Sequence, residues 1–467
     1  MLPDLALLEI FDHYIDNDRI DDWYPLVHVC QRWRNVVFAS PLRLNLRLLC
    51  TARTRVKEML NTWPPLPIVV WSGDFHVEEW DVDYMVEALE HRDRICDLEL
   101  FDVPCSQLER VLALLQQPFP ALRDLRFRHI DEMPTTPVVI PASFLGGSAP
   151  SLQSLEFDFF PFPELPNLLI SATHLVDLSL RRIPHSDSLS PEAIVNCLSV
   201  LTKLEDLTIT FEFHQRHPGQ GSRRPPPETR TLLPVLTSLK FGGFDEYLED
   251  LVARIDAPLL DKLEIVFFHQ QIFHTPQLVQ FISRTPNIGA HGEARVIFST
   301  WTVSITFPST FASGKWLKLS ISFRDTDEEL SLLSVAQVWI SSFPQTFIPA
   351  VERLYILERD SPSSLLCWED DIEISQWLEM LRIFIAVKGL YLSSRIMPRI
   401  GPALQEFVWE SVEVLPALET VFLEETFPSE PDEESIRQLV SARQLSDHPI
   451  TVSRWDWDFW EAAFMMD

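Results

Sequence analysis

The residues able to do chemistry in this chain are widely scattered. His214 and His217 stand three apart, followed by His269 and His274, and the six cysteines fall at Cys30, Cys50, Cys96, Cys105, Cys197 and Cys367. A zinc site needs four donors at short, paired spacings, and no Cys or carboxylate completes a set around these histidines. None of the cysteines forms Cys-x-x-Cys, and their spread does not read as a disulfide framework. There is no Gly-x-Ser-x-Gly elbow, no Gly-x-x-x-x-Gly-Lys-Ser/Thr phosphate loop and no His-Glu-x-x-His. Carboxylates are so numerous that no pair stands out as acid and base. The sequence thus predicts no catalytic residue, no metal site and no cofactor, and the chain reads as one that binds rather than reacts.

The elements that would carry such binding begin at the N-terminus. Pro3 suits a first helical turn, where its missing N–H is not needed. Asp4 and Glu9 lie toward the positive end of that helix. Leu7, Leu8, Phe11 and Ile15 recur at three- and four-residue steps and form an apolar stripe. Asp16 to Asp22 is a polar, acidic connection. Pro25 opens a second helical segment in which Leu26, Val29, Cys30, Trp33 and Val37 form another stripe, with Cys30 packed inside it. Ser40-Pro41 ends that segment. So few residues cannot bury both stripes, so the surplus apolar face needs a partner or the following domain.

The order Leu2-Pro3, then Val29-Cys30-x-x-Trp33-Arg34, then Ser40-Pro41 resembles an F-box. This is the helical module by which a substrate receptor plugs into a Skp–cullin–F-box ubiquitin ligase. The resemblance implies that Leu2, Pro3, Leu7, Leu8, Val29, Cys30 and Trp33 face a Skp-type adaptor, and through it a cullin scaffold, or support that face. Two features depart from the family pattern: Ser40-Pro41-Leu42-Arg43-Leu44 lacks the usual closing Trp, and the connection before Pro25 is long and acidic. Both resemble the basidiomycete fungal type, as do Leu48-Leu49-Cys50-Thr51-Ala52-Arg53-Thr54 and the stretch from Trp63 to Ile68. With Leu2-Pro3 directly behind Met1, part of the module's N-terminal flank is expected to be missing.

Composition narrows the partners. The 467 residues are 46% hydrophobic, enough for a large core, and 38 basic against 68 acidic side chains give a formal charge of −30. Such a field repels nucleic acid and anionic membranes and favours a basic target. Proline is abundant (36) and glycine scarce (12), which fits many short elements stopped by prolines. No basic segment leads into an apolar run, and no apolar stretch is long enough to span a bilayer, so the expectation is a soluble protein of the cytoplasm or nucleus.

The rest of the chain repeats one phrase, apolar–x–x–apolar–x–apolar. It runs through Ile95/Leu98/Leu100, Leu122/Leu125/Phe127, Leu152/Leu155/Phe157, Leu175/Leu178/Leu180, Leu204/Leu207/Ile209, Leu236/Leu239/Phe241 and Leu260/Leu263/Ile265. Looser copies follow at Val351/Leu354/Ile356, Val387/Leu390/Leu392 and Leu418/Val421/Leu423. The middle positions from 98 to 263 are 27, 30, 23, 29, 32 and 24 residues apart, near the upper end of leucine-rich repeat lengths. Each phrase ends with the period of a strand, and helical stretches such as 107–115 and 191–198 lie between. The expected fold class is α/β, an irregular leucine-rich-repeat-like solenoid with parallel strands on the concave face and helices outside. The signature Asn or Cys after the strand is mostly absent. Dense alternating strands at 295–298, 302–307 and 316–323, with a helix over 327–339, read as distorted units of the same solenoid. Residues 214–230 read as a polar, locally basic loop.

The expected domains are residues 1–48 as the F-box, 49–93 as linker and N-terminal cap, 94–425 as the solenoid, and 426–467 as an acidic, aromatic cap or tail. The implied function is that of a substrate-recognition subunit. Its F-box would dock on the adaptor while the solenoid holds a target protein near the ubiquitin-charged enzyme, so that transfer becomes effectively intramolecular. The alternatives are an F-box/repeat scaffold acting outside ubiquitin ligation and an α/β enzyme with an unrecognised site.

Overall fold

A computed structural model describes residues 2–14, 23–39, 46–50, 56–62, 65–71, 82–101, 103, 105–128, 139–184, 189–212, 229–268, 275–288, 292–299, 302–308, 315–322, 348–358, 374–406, 414–424, 430–445 and 449–455. The chain divides into two compact units, Met1–Gln215 and Arg216–Asp467. That boundary falls inside the 94–425 stretch read from the sequence as one solenoid. The expected connection at 16–22, Ser40-Pro41, the basic loop at 214–228, the helix at 327–339 and the aromatics beyond Trp455 lie outside the described residues.

The first unit opens with three short helices, α1 (Asp4–Tyr14), α2 (Trp23–Val29) and α3 (Gln31–Phe38), of which α1 and α2 both pack on α3. The segment expected as one helix is therefore two. Cys30 separates them with extended backbone (φ −161°, ψ 167°), and its Sγ accepts the Trp33 N–H at 3.4 Å as the N-cap of α3. A cap points along the helix end rather than into a stripe, which is why Cys30 is exposed and not packed as expected.

Seven parallel strands follow in chain order: β1 (Leu46–Leu49), β2 (Ile68–Trp71), β3 (Ile95–Phe101), β4 (Asp124–Arg128), β5 (Ser154–Asp158), β6 (Asp177–Ile183) and β7 (Asp206–Phe211). Strand pairing thus begins at the end of the stretch expected as the F-box (1–48) and continues through that expected as linker and N-terminal cap (49–93). Helices α4 (Val56–Thr62), α5 (Val82–Leu89), α6 (Cys105–Leu114), α7 (Leu165–Ser171) and α8 (Pro191–Leu198) connect successive strands, and a 3-10 turn at Phe144–Gly147 connects β4 to β5. In that turn Gly146 has φ +70° and a Cβ there would lie 3.1 Å from the Pro118 nitrogen, so the position requires glycine.

The phrase acquires a physical meaning in the structure. Its first apolar residue closes a four-residue turn: Leu122, Leu152, Leu175 and Leu204 donate their N–H to the carbonyls of Phe119, Ala149, Ala172 and Leu201 at 3.0–3.2 Å. The next two residues donate to one carbonyl of the preceding repeat. Gln153 and Ser154 share the Arg123 oxygen, Val176 and Asp177 the Gln153 oxygen, and Glu205 and Asp206 the Val176 oxygen. A carbonyl has two lone pairs, so each repeat is stapled to the last through backbone alone. The closing apolar pair then points toward the helices. Leu98, Leu125, Leu155, Leu178 and Leu207 lie in register, all fully buried, and each contributes about 1.5–3 kcal/mol on burial.

The second unit uses the same phrase around β9 (Ser238–Gly243), β11 (Lys262–Phe268), β15 (Arg353–Glu358), β16 (Gly389–Leu392) and β17 (Thr420–Glu424), and ends on β18 (Thr451–Trp455), which lacks it. Two-residue strands β8 (Thr231–Leu232) and β10 (Ile255–Asp256) pair beside it. Helices α9 (Asp245–Val252), α10 (Pro276–Arg284), α11 (Ile374–Leu381), α12 (Met397–Glu406) and α13 (Glu430–Leu445) accompany these strands. The Glu249 carboxylate accepts the Gln277 and Leu278 N–H groups at 2.9 Å, so one repeat caps the helix of the next.

Two expectations are corrected here. The sheet is not wholly parallel: β12 (Glu293–Phe298), β13 (Thr302–Pro308) and β14 (Trp316–Ser322) form antiparallel pairs, and the spatial order is β11–β14–β13–β12–β15. Residues 299–301 are too few for a parallel crossover, which needs a dozen or more, so the chain turns back as a hairpin. The C-terminal stretch is also more than a helical or irregular cap, since β18 follows α13 and adds one further parallel strand.

Candidate functional site

Helix α1 carries apolar residues on opposite sides. Leu7 and Phe11 are buried, with the Phe11 ring 4.8 Å from that of Trp33, while Leu5 is 74% exposed and Leu2 53%. The solvent side of this helix also carries Asp4, Glu9 and His13, so its exposed apolar residues are interspersed with charge. Val29 at the end of α2 is 58% exposed, and Cys30, next in the chain, is exposed too. Arg32 ties α3 to α1, donating to Asp4 Oδ1 at 2.6 Å and to the Leu2 carbonyl. Of the seven residues assigned to an adaptor face, Leu2, Pro3, Val29 and Cys30 are exposed, Leu8 and Trp33 half-buried, and Leu7 fully internal. Leu5 and Ile10, exposed on the same helix, were missed, because a stripe reading records only the residues that face inward.

The sheet face opposite the helices is polar in the first unit. Asp97, Asp124, Ser154, Asp177 and Asp206 form one register row. Burial raises the Asp124 carboxyl above its ordinary value, and burial together with neighbouring Asp206 does the same to Asp177. In the next row Arg126 meets Glu99 at 3.3 Å, and Glu156 takes Arg128 at 2.7 Å and Arg181 at 3.5 Å.

The second unit differs. Its middle row is Lys240, Glu264, Lys318, Thr306, Arg295, Tyr355, Tyr391, Phe422 and Ser453. Glu264 lies between Lys240 (2.9 Å) and Lys318 (3.1 Å); burial pushes its carboxyl up, but the two ammonium groups outweigh that and hold it below the ordinary range. Glu293 likewise lies between buried Arg295 and exposed Arg353, the latter at 3.3 Å. Beyond them the rings of Tyr355, Tyr391 and Phe422 stack at 4.1 and 4.2 Å, with the Arg295 guanidinium 5.6 Å from the Tyr355 centroid. Trp455 stands edge-on to both tyrosines at 5.9 and 5.6 Å. The ladder was visible in principle, since Tyr355, Tyr391 and Phe422 each fill the x between the last two apolar positions of a phrase.

Among the described residues no group of His, Cys, Asp and Glu could hold a metal ion. The pair His214/His217 and the pair His269/His274 lie outside those residues. A cavity between β5, β6 and α7, lined by Phe157, Phe162, Leu165 and Leu180, has a volume of about 20 Å³, room for about one water. Among the described residues no helix is long and apolar enough to cross a membrane.

No family model matches the chain, and no curated protein does. Among solved structures it is similar to the leucine-rich repeat-containing protein LegL7 from Legionella pneumophila, at 12% identity and a TM-score of 0.30, over 85% of this chain and 97% of that one. Likeness at that level transfers no residue and no role.

Proposed function

We propose that the chain is a protein-interaction receptor whose N-terminal helices dock on a Skp-type adaptor of a Skp–cullin–F-box ubiquitin ligase and whose repeats hold a target protein. The observation that carries this reading is the set of exposed side chains on the N-terminal helices, Leu2, Leu5, Ile10, Val29 and Cys30. Leu2, Pro3, Val29 and Cys30 stand at positions where the F-box resemblance expects an adaptor, Leu5 and Ile10 add exposed apolar side chains on α1, and the Asp4–Arg32 ion pair links α1 to α3. Exposed apolar patches of this kind mark interaction sites. The repeats supply what a receptor needs, a long sheet face whose side chains vary from strand to strand while the buried phrase holds the backbone constant. Target ubiquitination then follows from proximity.

The test is capture of purified Skp-type adaptor by the full chain and by its Leu5→Asp/Val29→Asp variant. The wild-type chain is expected to bind and the variant to lose roughly hundredfold or more in affinity. Its stability should change by no more than about 0.5 kcal/mol, since both sites are on the surface. Absence of adaptor binding by the wild-type chain would remove the ubiquitin-ligase reading. Binding without ubiquitination of a co-purified partner would favour a scaffold acting outside ligation.

A further inference from the structure

The sheet face of the second unit opposite the helices, on which Lys240, Lys318 and Arg353 reach solvent while Glu293, Arg295, Ser304 and Tyr355 are buried, carries a charge pattern opposite to that of the protein as a whole. Two lysines, Lys240 and Lys318, share the single carboxylate of Glu264, and two arginines, Arg295 and Arg353, share that of Glu293. Each triad holds one positive charge in excess, on a chain whose formal charge is −30. Strand β13 runs between the triads and presents Ser304 and Thr306 to the same face. Past the second triad lies the ladder of Tyr355, Tyr391 and Phe422. Tyrosine, tryptophan and arginine are the residues that dominate binding energy at interfaces.

We infer that this face is the target-binding surface and that it takes an extended acidic peptide segment with a bulky apolar residue at one end. The carboxylates lie over the Lys240–Glu264–Lys318 and Arg295–Glu293–Arg353 triads, and the apolar side chain packs against the ring edges of Tyr391 and Phe422. The occupant is a carboxylate and not a phosphate for a reason of charge. One negative charge neutralises each triad, whereas a phosphate near its dianionic form would leave the site negative. The charge of the whole chain points to basic targets, but the field that selects a partner is the local one, because screening limits reach to about 8–10 Å. The inference rests on the receptor reading for the word target, yet its test uses no adaptor, so the two can fail separately.

The experiment probes the full chain against an array of short synthetic peptides. They are graded from Lys/Arg-rich to Asp/Glu-rich, each made with and without a terminal Leu-Phe, and include phosphoserine replacements for Asp. Retention is expected on the Asp/Glu-rich peptides ending in Leu-Phe, weakening with added salt. The Lys240→Gln/Arg353→Gln variant should weaken it about tenfold. That variant removes one cation from each triad and leaves Lys318 on Glu264 and Arg295 on Glu293, so no buried carboxylate is orphaned and the fold is preserved. Preference for basic peptides, preference for phosphoserine over Asp, equal binding by the variant, or retention of no peptide would each overturn the inference.

Discussion

At the scale of single residues, the aromatic ladder depends on a glycine. A Cβ at Gly389 would lie 3.2 Å from Tyr391 Cε2, closer than neighbouring carbons normally pack, and in ordinary contact with Phe422 Cε2 at 3.5 Å. Valine would ordinarily be welcome in a strand, so the sign of Gly389→Val is informative. The expected outcome is destabilisation of about 1–3 kcal/mol in a denaturant titration, with loss of the near-ultraviolet signal of the stacked rings. Increased stability would show that the rings do not depend on this close approach. The thiols offer a second test at this scale. Burial pushes the Cys197 thiol up to about 11 and raises that of Cys96 as well, so neither supplies much thiolate near neutral pH. Cys30 is exposed at the N-cap of α3. Peptide mapping after brief alkylation should find Cys30 modified well before Cys96 and Cys197, and bound Skp-type adaptor should slow its modification severalfold. Unchanged labelling in the complex would place the adaptor elsewhere.

At the scale of elements, the N-terminal helices separate two roles that their sequence blends. Leu7 lies inside the three-helix cluster and Leu5 outside it, although both belong to α1. Leu7→Asp should therefore unfold the module, at a cost of several kcal/mol for an unpaired buried charge, whereas Leu5→Asp should leave its circular dichroism intact and remove adaptor binding. If both variants bound adaptor like the wild type, the helices would not be a docking module. The same contrast explains what could be read in advance. The repeat phrase was legible because burial of Leu98, Leu125, Leu155 and their equivalents imposes one period on every strand. The antiparallel β12–β14 insertion was visible as strands but not as a reversal, because alternation encodes a strand and says nothing of its direction. Cys30 was misplaced because a cap and a stripe residue can occupy the same step of a periodic pattern. The charged triads could be read only in part: Lys240 and Glu264 fill the same x of consecutive phrases and Glu293 and Arg295 stand two apart on one strand, but Glu264 and Lys318 are adjacent only through pairing of β11 with β14, a register fixed by three dimensions and not by spacing.

At the scale of the whole molecule, the two surfaces belong to different units, and their chemistry shares no residue. The exposed apolar residues of α1 lie in Met1–Gln215, and the triads and ladder lie in Arg216–Asp467. The buried phrase that holds the strands is backbone and leucine, so surface substitutions in one unit leave the core of the other untouched, and their effects should add. A receptor that delivers a target must hold adaptor and target at once, which demands this independence. Titration of adaptor into the full chain saturated with the best-retained Asp/Glu-rich Leu-Phe peptide should give the same dissociation constant as titration into the chain alone, within about twofold. Leu5→Asp/Val29→Asp should keep the peptide affinity, and Lys240→Gln/Arg353→Gln should keep the adaptor affinity. Competition between the two ligands would mean that they share a surface, and the division of labour between helices and repeats would then have to be abandoned, whereas a ternary complex of unchanged affinities is what a substrate receptor requires.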